Sequence, residues 1–452
     1  MTARPLILVV IDGLTPSMFE GAVGSGETPT LAALAAHGSY RRATSVFPSL
    51  TPVCLSSIAT GAHGDIHEIP HLVWYDRGEQ RLVEYGSSFG AVRAAGIGQT
   101  LRDTLVNMNG QHLGRQAQTL FELLADSGLR TGAVNFTAYR GRTRHRSSLP
   151  FLGDVQGPER FFFYNLFSSD RTGAPLSWRN RPAGSIDAYA TAVGRWLVTR
   201  DAFDFLVFYL SDYDYASHLR GPDTALAALQ QCDTAIGSLA DAGGGVDALL
   251  EKYAVIVMAD HGQTHVREAV SLAESYAGIE GVLPLASNRA GHVYVQPGCR
   301  LDLRTIAARL DAVAAVDVTL FREGSKAVAR RDGEELVFAP ARVGFTQSGD
   351  ASILDHPDAL IRSWAALANP NAGEILVSAT EGYEFVDLGG GHHVGGGSHG
   401  SLVAGDTEVP LLLIGVDGAA GAPPTRSIVD VAPTILSHFG VVAPAYALDR
   451  AA

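Results

Sequence analysis

Residues 205–218 read FLVFYLSDYDYASH. Six apolar residues are followed at once by a polar stretch carrying Asp214 and His218, four apart. A short unbroken apolar run of this kind predicts a strand buried on both faces, as in a parallel sheet. The i, i+4 spacing places the carboxylate and the imidazole on one face of a following helix.

The same grammar recurs elsewhere. Leu6–Ile11 runs into Asp12, and Ala254–Met258 runs into Asp260-His261-Gly262. Thr131–Asn135 and Leu411–Ile414 are further buried runs read as strands of the same parallel sheet. Helical segments alternate with them at Pro29–His37 (with Gly38 as C-cap), Thr119–Asp126, Thr224–Ala240 and Val429–Phe439. Such βαβ alternation predicts a doubly wound α/β/α sandwich. Residues 270–390 have another texture: strands at His292–Gln296 and Val316–Phe321, a helix at Leu303–Val313, and a hairpin of Lys326–Arg330 with Glu334–Phe338 around Asp332-Gly333. The expected organisation is a catalytic core of residues 1–269 and 391–452 with a smaller inserted α+β cap at 270–390.

In an open α/β sheet, ligands bind beyond the carboxyl ends of the strands. Asp12, Asp214, Asp260, His261 and His218 are therefore expected to converge, joined by His399 from the glycine-rich GGGHHVGGGSHG at 389–400. Carboxylates and imidazoles together suit zinc or a similar dication, and six ligands are too many for one tetrahedral ion. Two ions form the usual clamp for phosphoryl transfer. Thr51-Pro52 opens the segment TPVCLSSIATG, where Thr fits an N-cap, Pro the first turn and Gly61 the far end. A hydroxyl there faces the positive end of the helix dipole, where a phosphoryl group is favoured.

The formal net charge of −13 argues against non-specific attachment to polyanions such as duplex nucleic acid or anionic membrane. A small phosphorylated substrate remains compatible, because bound dications invert the local field. The three cysteines, Cys54, Cys232 and Cys299, have no metal-type spacing and an odd number, which fits a reducing compartment. The N-terminal apolar run is too short for a signal peptide or a membrane span. The expectation is a soluble cytoplasmic protein of unspecified oligomeric state.

Two rival signatures are set aside. His67-Glu68-Ile69-Pro70-His71 fits the zinc-peptidase HExxH pattern, which needs a helix that Pro70 would interrupt. Gly86-Ser87-Ser88-Phe89-Gly90 fits a serine-hydrolase elbow with Ser88 as nucleophile, but the charged RLVEY before it does not read as a buried strand. The Arg-rich YRGRTRHR at 139–146 reads either as a solvated face or as a phosphate contact.

VVIDG, TPTLAALAAHG, VFPSLTPVCLSSIATG, DYASHLRGP, MADHG, GSHGSL, VPLLLIG and DVAPTIL occur in an order that resembles the nucleotide pyrophosphatase/phosphodiesterase family of the alkaline phosphatase superfamily. The resemblance runs from residue 7 to about 440 and leaves the insertion unmatched. It implies hydrolysis of phosphodiester or pyrophosphate bonds through a phospho-threonine on Thr51. It also implies two zinc ions, one on Asp12, Thr51, Asp260 and His261, the other on Asp214, His218 and His399. A phosphomonoesterase or phosphonate hydrolase of the same superfamily is the alternative. Tyr209 matches a position bordering the substrate. Pro52 stands where many members carry an aromatic residue. Leu72 and Val73 stand nearest to where the family has an Asn touching the phosphoryl group.

Overall fold

The computed structural model describes residues 3–149, 152–164, 166–169, 186–416 and 425–448. Its centre is an eight-stranded sheet in the order Ser39–Thr44, Glu408–Ile414, Ala254–Met258, Leu6–Ile11, Phe205–Leu210, Thr131–Val134, Arg160–Phe163, Phe167–Ser169. The five strands from Ala254–Met258 to Arg160–Phe163 run parallel. Every residue of Leu6–Ile11, Phe205–Leu210 and Ala254–Met258 is buried, which explains their unbroken apolar composition. Helices cover the sheet on both sides. Leu226–Ala242 packs with Ile186–Val198 and Pro29–Ala35, while Thr51–Thr60 packs with Val431–His438 and Leu120–Asp126. Thr119 and Glu122 form a reciprocal capping box at the last of these.

Several expectations are corrected. The 411–414 run belongs to a strand, Glu408–Ile414, that is antiparallel to Ala254–Met258; an apolar run carries no information on direction. The Pro29 helix ends at Ala35 with Ala36 as C-cap, so Gly38 is not the cap. Gly38 instead sits where a Cβ would lie 2.7 Å from Leu413 O. RLVEY forms a strand, Arg81–Glu84, but a half-buried one paired in a two-stranded hairpin with Val73–Asp76 outside the central sheet, so it is not the buried strand that a nucleophile elbow needs. Its charges are partnered locally: Arg81 binds Asp103, and Glu84 accepts from Gly86 N and Ser87 N.

A second sheet of seven antiparallel strands takes six of them from Val282 to Gly349 and a seventh, Ile375–Ala379, which inserts between Ala290–Val295 and Val316–Glu323. Its side chains alternate between two cores. Tyr294, Leu320 and Phe338 join the main core. Val293, Phe321 and Val328 pack beneath the Leu303–Asp311 helix with Ile306 and Leu310. Asp332-Gly333, both at positive φ, make the tight turn of the expected hairpin.

Candidate metal centre and active-site cleft

Three neighbouring strands deliver three carboxylates to one end of the central sheet. Asp12 follows Leu6–Ile11 directly, Asp260 follows Ala254–Met258, and Asp214 sits in the first turn of the helix Asp212–Arg220. Gly13, at φ +69, is required beside Asp12, since a Cβ would fall 2.7 Å from Asp214 Oδ1 and Gln263 Nε2. The ligand atoms form two clusters, Asp12/Asp260/His261 and Asp214/His218/His399, each within 4.8 Å. Thr51 Oγ1 lies 3.1 Å from His261 Nε2, and the His261 and His399 rings stack with centroids 3.6 Å apart, so the two clusters adjoin.

The helix that carries the hydroxyl spans Thr51–Thr60. Its N-cap is Leu50 rather than the expected Thr51, which is the first helical residue. The Thr51 side chain is therefore not used in capping and is free to face the clusters.

Each of the three imidazoles has Nδ1 against a backbone carbonyl: His218 on Gly397 O at 2.7 Å, His261 on Gly262 O at 3.0 Å, His399 on Ser49 O at 2.8 Å. A carbonyl only accepts, so Nδ1 carries a proton and Nε2 is the atom turned toward the carboxylates, His218 Nε2 3.2 Å from Asp214 and His261 Nε2 3.3 Å from Asp12. This outer support is what metal-binding histidines need. Buried Asp12 Oδ1 and Asp260 Oδ2 both face His261 Nε2, at 3.3 and 3.5 Å. Burial pushes the Asp12 carboxyl well above its ordinary pKa, with Asp260 and Asp214 adding repulsion. Burial works against His261 too, yet Asp260, then Asp12 and Asp214, bring it up to about 10. The site thus attracts positive charge and turns carboxylate oxygens and imidazole Nε2 atoms toward common points, so the residues present fit divalent cations in place of the proton held there.

The cleft outside the clusters has a volume of about 500 Å³. Of the remaining sequence-predicted residues, Tyr209, Pro52 and Leu72 line it. Tyr209 donates its hydroxyl hydrogen to Asp12 Oδ2. Asp212 is turned away and accepts from Asp187 N.

Gln263 and Asn288, beside the clusters, carry no signal in the sequence reading, whereas His393 reads there as a loop or supporting residue rather than a ligand. Gln263 ties Asp214 to Ser217, and its position two residues after His261 could have marked it. His393 stacks on His218 at 4.1 Å, with its Nδ1 3.0 Å from buried Glu384. Asn288 enters from the second sheet and approaches His399. The glycine-rich loop makes these contacts possible, since a Cβ on Gly396 would lie 1.8 Å from His218 O.

The rival motifs do other work. His67 bonds Ser57, Glu68 takes a left-handed backbone after a four-residue helix, and His71 accepts from Val73 N. Ser88 is the N-cap of Phe89–Ala95 and accepts from Ala91 N. Arg140 and Arg142 pair with Glu122, and Arg144 with Asp154.

A central α/β sheet with buried carboxylates and imidazoles at its strand ends, facing a helix-borne hydroxyl, defines a hydrolase of the alkaline phosphatase superfamily. The chain belongs to the type I phosphodiesterase / nucleotide pyrophosphatase family, whose model matches residues 6–402, and it acts on phosphoester bonds. Phosphonoacetate hydrolase from Sinorhizobium meliloti 1021, in complex with phosphonoformate, is similar in structure. The match covers 97% of this chain and 96% of that one, with TM-score 0.63 and 19% identity. An inactive variant of murine ectonucleotide pyrophosphatase/phosphodiesterase 5 in complex with AMP matches over 98% and 96%, with TM-score 0.62 and 14% identity. At these identities the likeness is one of fold. Among the described residues, no helix is long and apolar enough to cross a membrane.

Proposed function

We propose that this chain hydrolyses phosphodiesters by two in-line displacements on Thr51. In this reading Asp12, Thr51, Asp260 and His261 hold one divalent cation, and Asp214, His218 and His399 hold a second. Mixed imidazole and carboxylate donors favour zinc for both. The observation that carries the reading is the pair of clusters, each turning imidazole Nε2 atoms and carboxylate oxygens together, adjoining one hydroxyl. When bound, the cations would make the hydroxyl and a water more acidic and neutralise charge gathering on the phosphoryl oxygens.

The chain's own groups supply the rest. Thr51 Oγ1 gives its proton to solvent and bonds to phosphorus as the bond to the first alcohol breaks, and that alcohol leaves with a proton from solvent. The second ester group stays on the phosphoryl-threonine. Water then attacks phosphorus from the vacated side, the P–Oγ1 bond breaks, Thr51 recovers a proton and a monoester departs. The hydroxyl sits at the positive end of its helix throughout, where developing negative charge is favoured. Fixed placement and charge stabilisation account for most of the acceleration in phosphoryl transfer.

Charge selects the diester. Three carboxylates face two dications, so a monoanionic phosphoryl group balances the site while Thr51 is still protonated. A dianion adds a charge, and among the described residues no Lys or Arg lines the cleft to meet it. The same lack disfavours a phosphonate bearing a second acid group. The outer wall is instead apolar and aromatic, with Leu72, Tyr85, Leu105, Met108, Phe163 and Tyr215. Such a wall fits an aryl or other apolar ester group.

The test compares kcat/KM on bis-p-nitrophenyl phosphate and p-nitrophenyl thymidine phosphate with that on p-nitrophenyl phosphate. Both diesters are expected to exceed the monoester by at least about tenfold, or 1.4 kcal/mol in the transition state. A monoester ahead by the same margin would overturn the diesterase assignment.

A further inference from the structure

The turn Asn288-Arg289 joins the first two strands of the second sheet, Val282–Ser287 and Ala290–Val295. It is buried at the edge of the metal centre rather than exposed like an ordinary hairpin tip. Arg289 is fully buried and pairs with Asp406 at 3.1 Å, and its backbone N donates to His399 O at 2.8 Å. Asp406 also accepts from Ser401 N and Thr264 Oγ1, which belong to the core. Asn288 O accepts from Phe385 N at 2.7 Å. The turn is thus fixed before any ligand arrives, to the core through His399 and Asp406 and to the strand Tyr383–Phe385 on its other side.

Asn288 has φ +56, a conformation that Asn tolerates better than most residues, and its side chain lines the cleft. Its Oδ1 accepts from Ser287 Oγ at 2.9 Å. Its Nδ2 lies 3.1 Å from His399 Nε2. Because His399 Nδ1 carries the ring proton for Ser49 O, Nε2 accepts and Asn288 must present its NH₂ there. In the two-cation reading above, on which this inference rests, the lone pair of His399 Nε2 is committed to a cation. The NH₂ group then needs another acceptor in the same place. A buried amide without one is costly, and an oxygen held beside His399 would supply it.

We propose that Asn288 is a substrate-binding residue whose side-chain NH₂ donates to a non-bridging phosphoryl oxygen at the Asp214/His218/His399 end of the cleft. The second sheet thereby contributes directly to phosphate recognition. Leu72 and Val73 themselves carry no side-chain donor.

The test uses full-length, zinc-loaded protein and two variants. Asn288→Gly removes the amide while allowing the positive φ, and Asn288→Asp keeps shape and turn preference but replaces donor by acceptor. Metal content, thermal unfolding, the dissociation constant of inorganic phosphate by calorimetry, and kcat/KM on bis-p-nitrophenyl phosphate are measured together. Both variants are expected to keep the wild-type metal count and melting temperature. Phosphate affinity and kcat/KM should fall on the order of 10- to 100-fold, the range for a hydrogen bond to a charged group. Phosphate affinity unchanged within about twofold would overturn the proposal. So would a fall that coincides with loss of one metal ion, since Asn288 would then only be positioning His399. A wild-type protein inactive on every phosphodiester would sink the two-cation reading itself, whereas an active wild type with an equally active Asn288→Gly sinks only this inference.

Discussion

Thr51→Ala should lower kcat/KM on bis-p-nitrophenyl phosphate on the order of 10⁴-fold or more, as removal of a covalent nucleophile does in other hydrolases. Stability should hardly change. The substitution leaves the first turn of Thr51–Thr60 intact and removes one hydroxyl whose partner is His261 Nε2. A hydrogen bond of that kind contributes about 1 kcal/mol. Thr51→Ser keeps the hydroxyl but loses the methyl that restricts its rotamer, so it should retain part of the activity. Circular dichroism and metal analysis of each variant separate a lost nucleophile from a lost fold. A Thr51→Ala protein that turns over at nearly the wild-type rate would mean that water attacks the substrate directly, and the covalent route would be wrong.

Removing the cations should have an effect of similar size. The purified protein is expected to hold close to two transition-metal ions per chain, and EDTA should silence it reversibly. The physical reason lies in Asp12, Asp214 and Asp260, which are buried together. Without cations their charge is met only by the neighbouring imidazoles. Cation binding to the folded chain alone stabilises it by about 2.7 kcal/mol per site at a hundredfold excess over Kd, so the melting temperature should rise as zinc is restored. His399→Ala should lose one ion and Asp260→Ala the other, because the two residues belong to different clusters. One ion per chain, with Asp214, His218 and His399 all dispensable, would contradict the two-site assignment.

The parts of this molecule that rest on local pattern were legible in the sequence. Leu6–Ile11, Phe205–Leu210 and Ala254–Met258 have to be apolar because parallel strands are covered on both faces, and polar residues can appear only where the strand leaves the sheet. That break in composition is what draws the eye to Asp12, Asp214 and Asp260. The direction of Glu408–Ile414 was not legible, since an apolar run reads the same either way. Nor was the strand Arg81–Glu84, whose charges are satisfied by Asp103 and by backbone amides that no spacing rule connects to it. Thr51 was misread by one position, the ordinary uncertainty at a helix end.

The cleft wall was the least legible feature. Asn288 and Tyr85 come from distant segments and line one cleft only because the second sheet folds against the core. Their residue types are common in turns and cores, so nothing local distinguishes them. The glycine-rich loop could be noticed but not interpreted, because its purpose is the close approach of Gly396 to the His218 carbonyl.

The central claim is that Thr51, not water, makes the first attack on phosphorus, and the configuration of the product tests it most directly. One stereoisomer of methyl p-nitrophenyl phosphorothioate would be hydrolysed in ¹⁸O-labelled water and the chirality of the methyl phosphorothioate determined. Two in-line displacements each invert phosphorus, so passage through Thr51 predicts net retention, whether or not the intermediate accumulates. Net inversion would require a single attack by water and would contradict the account.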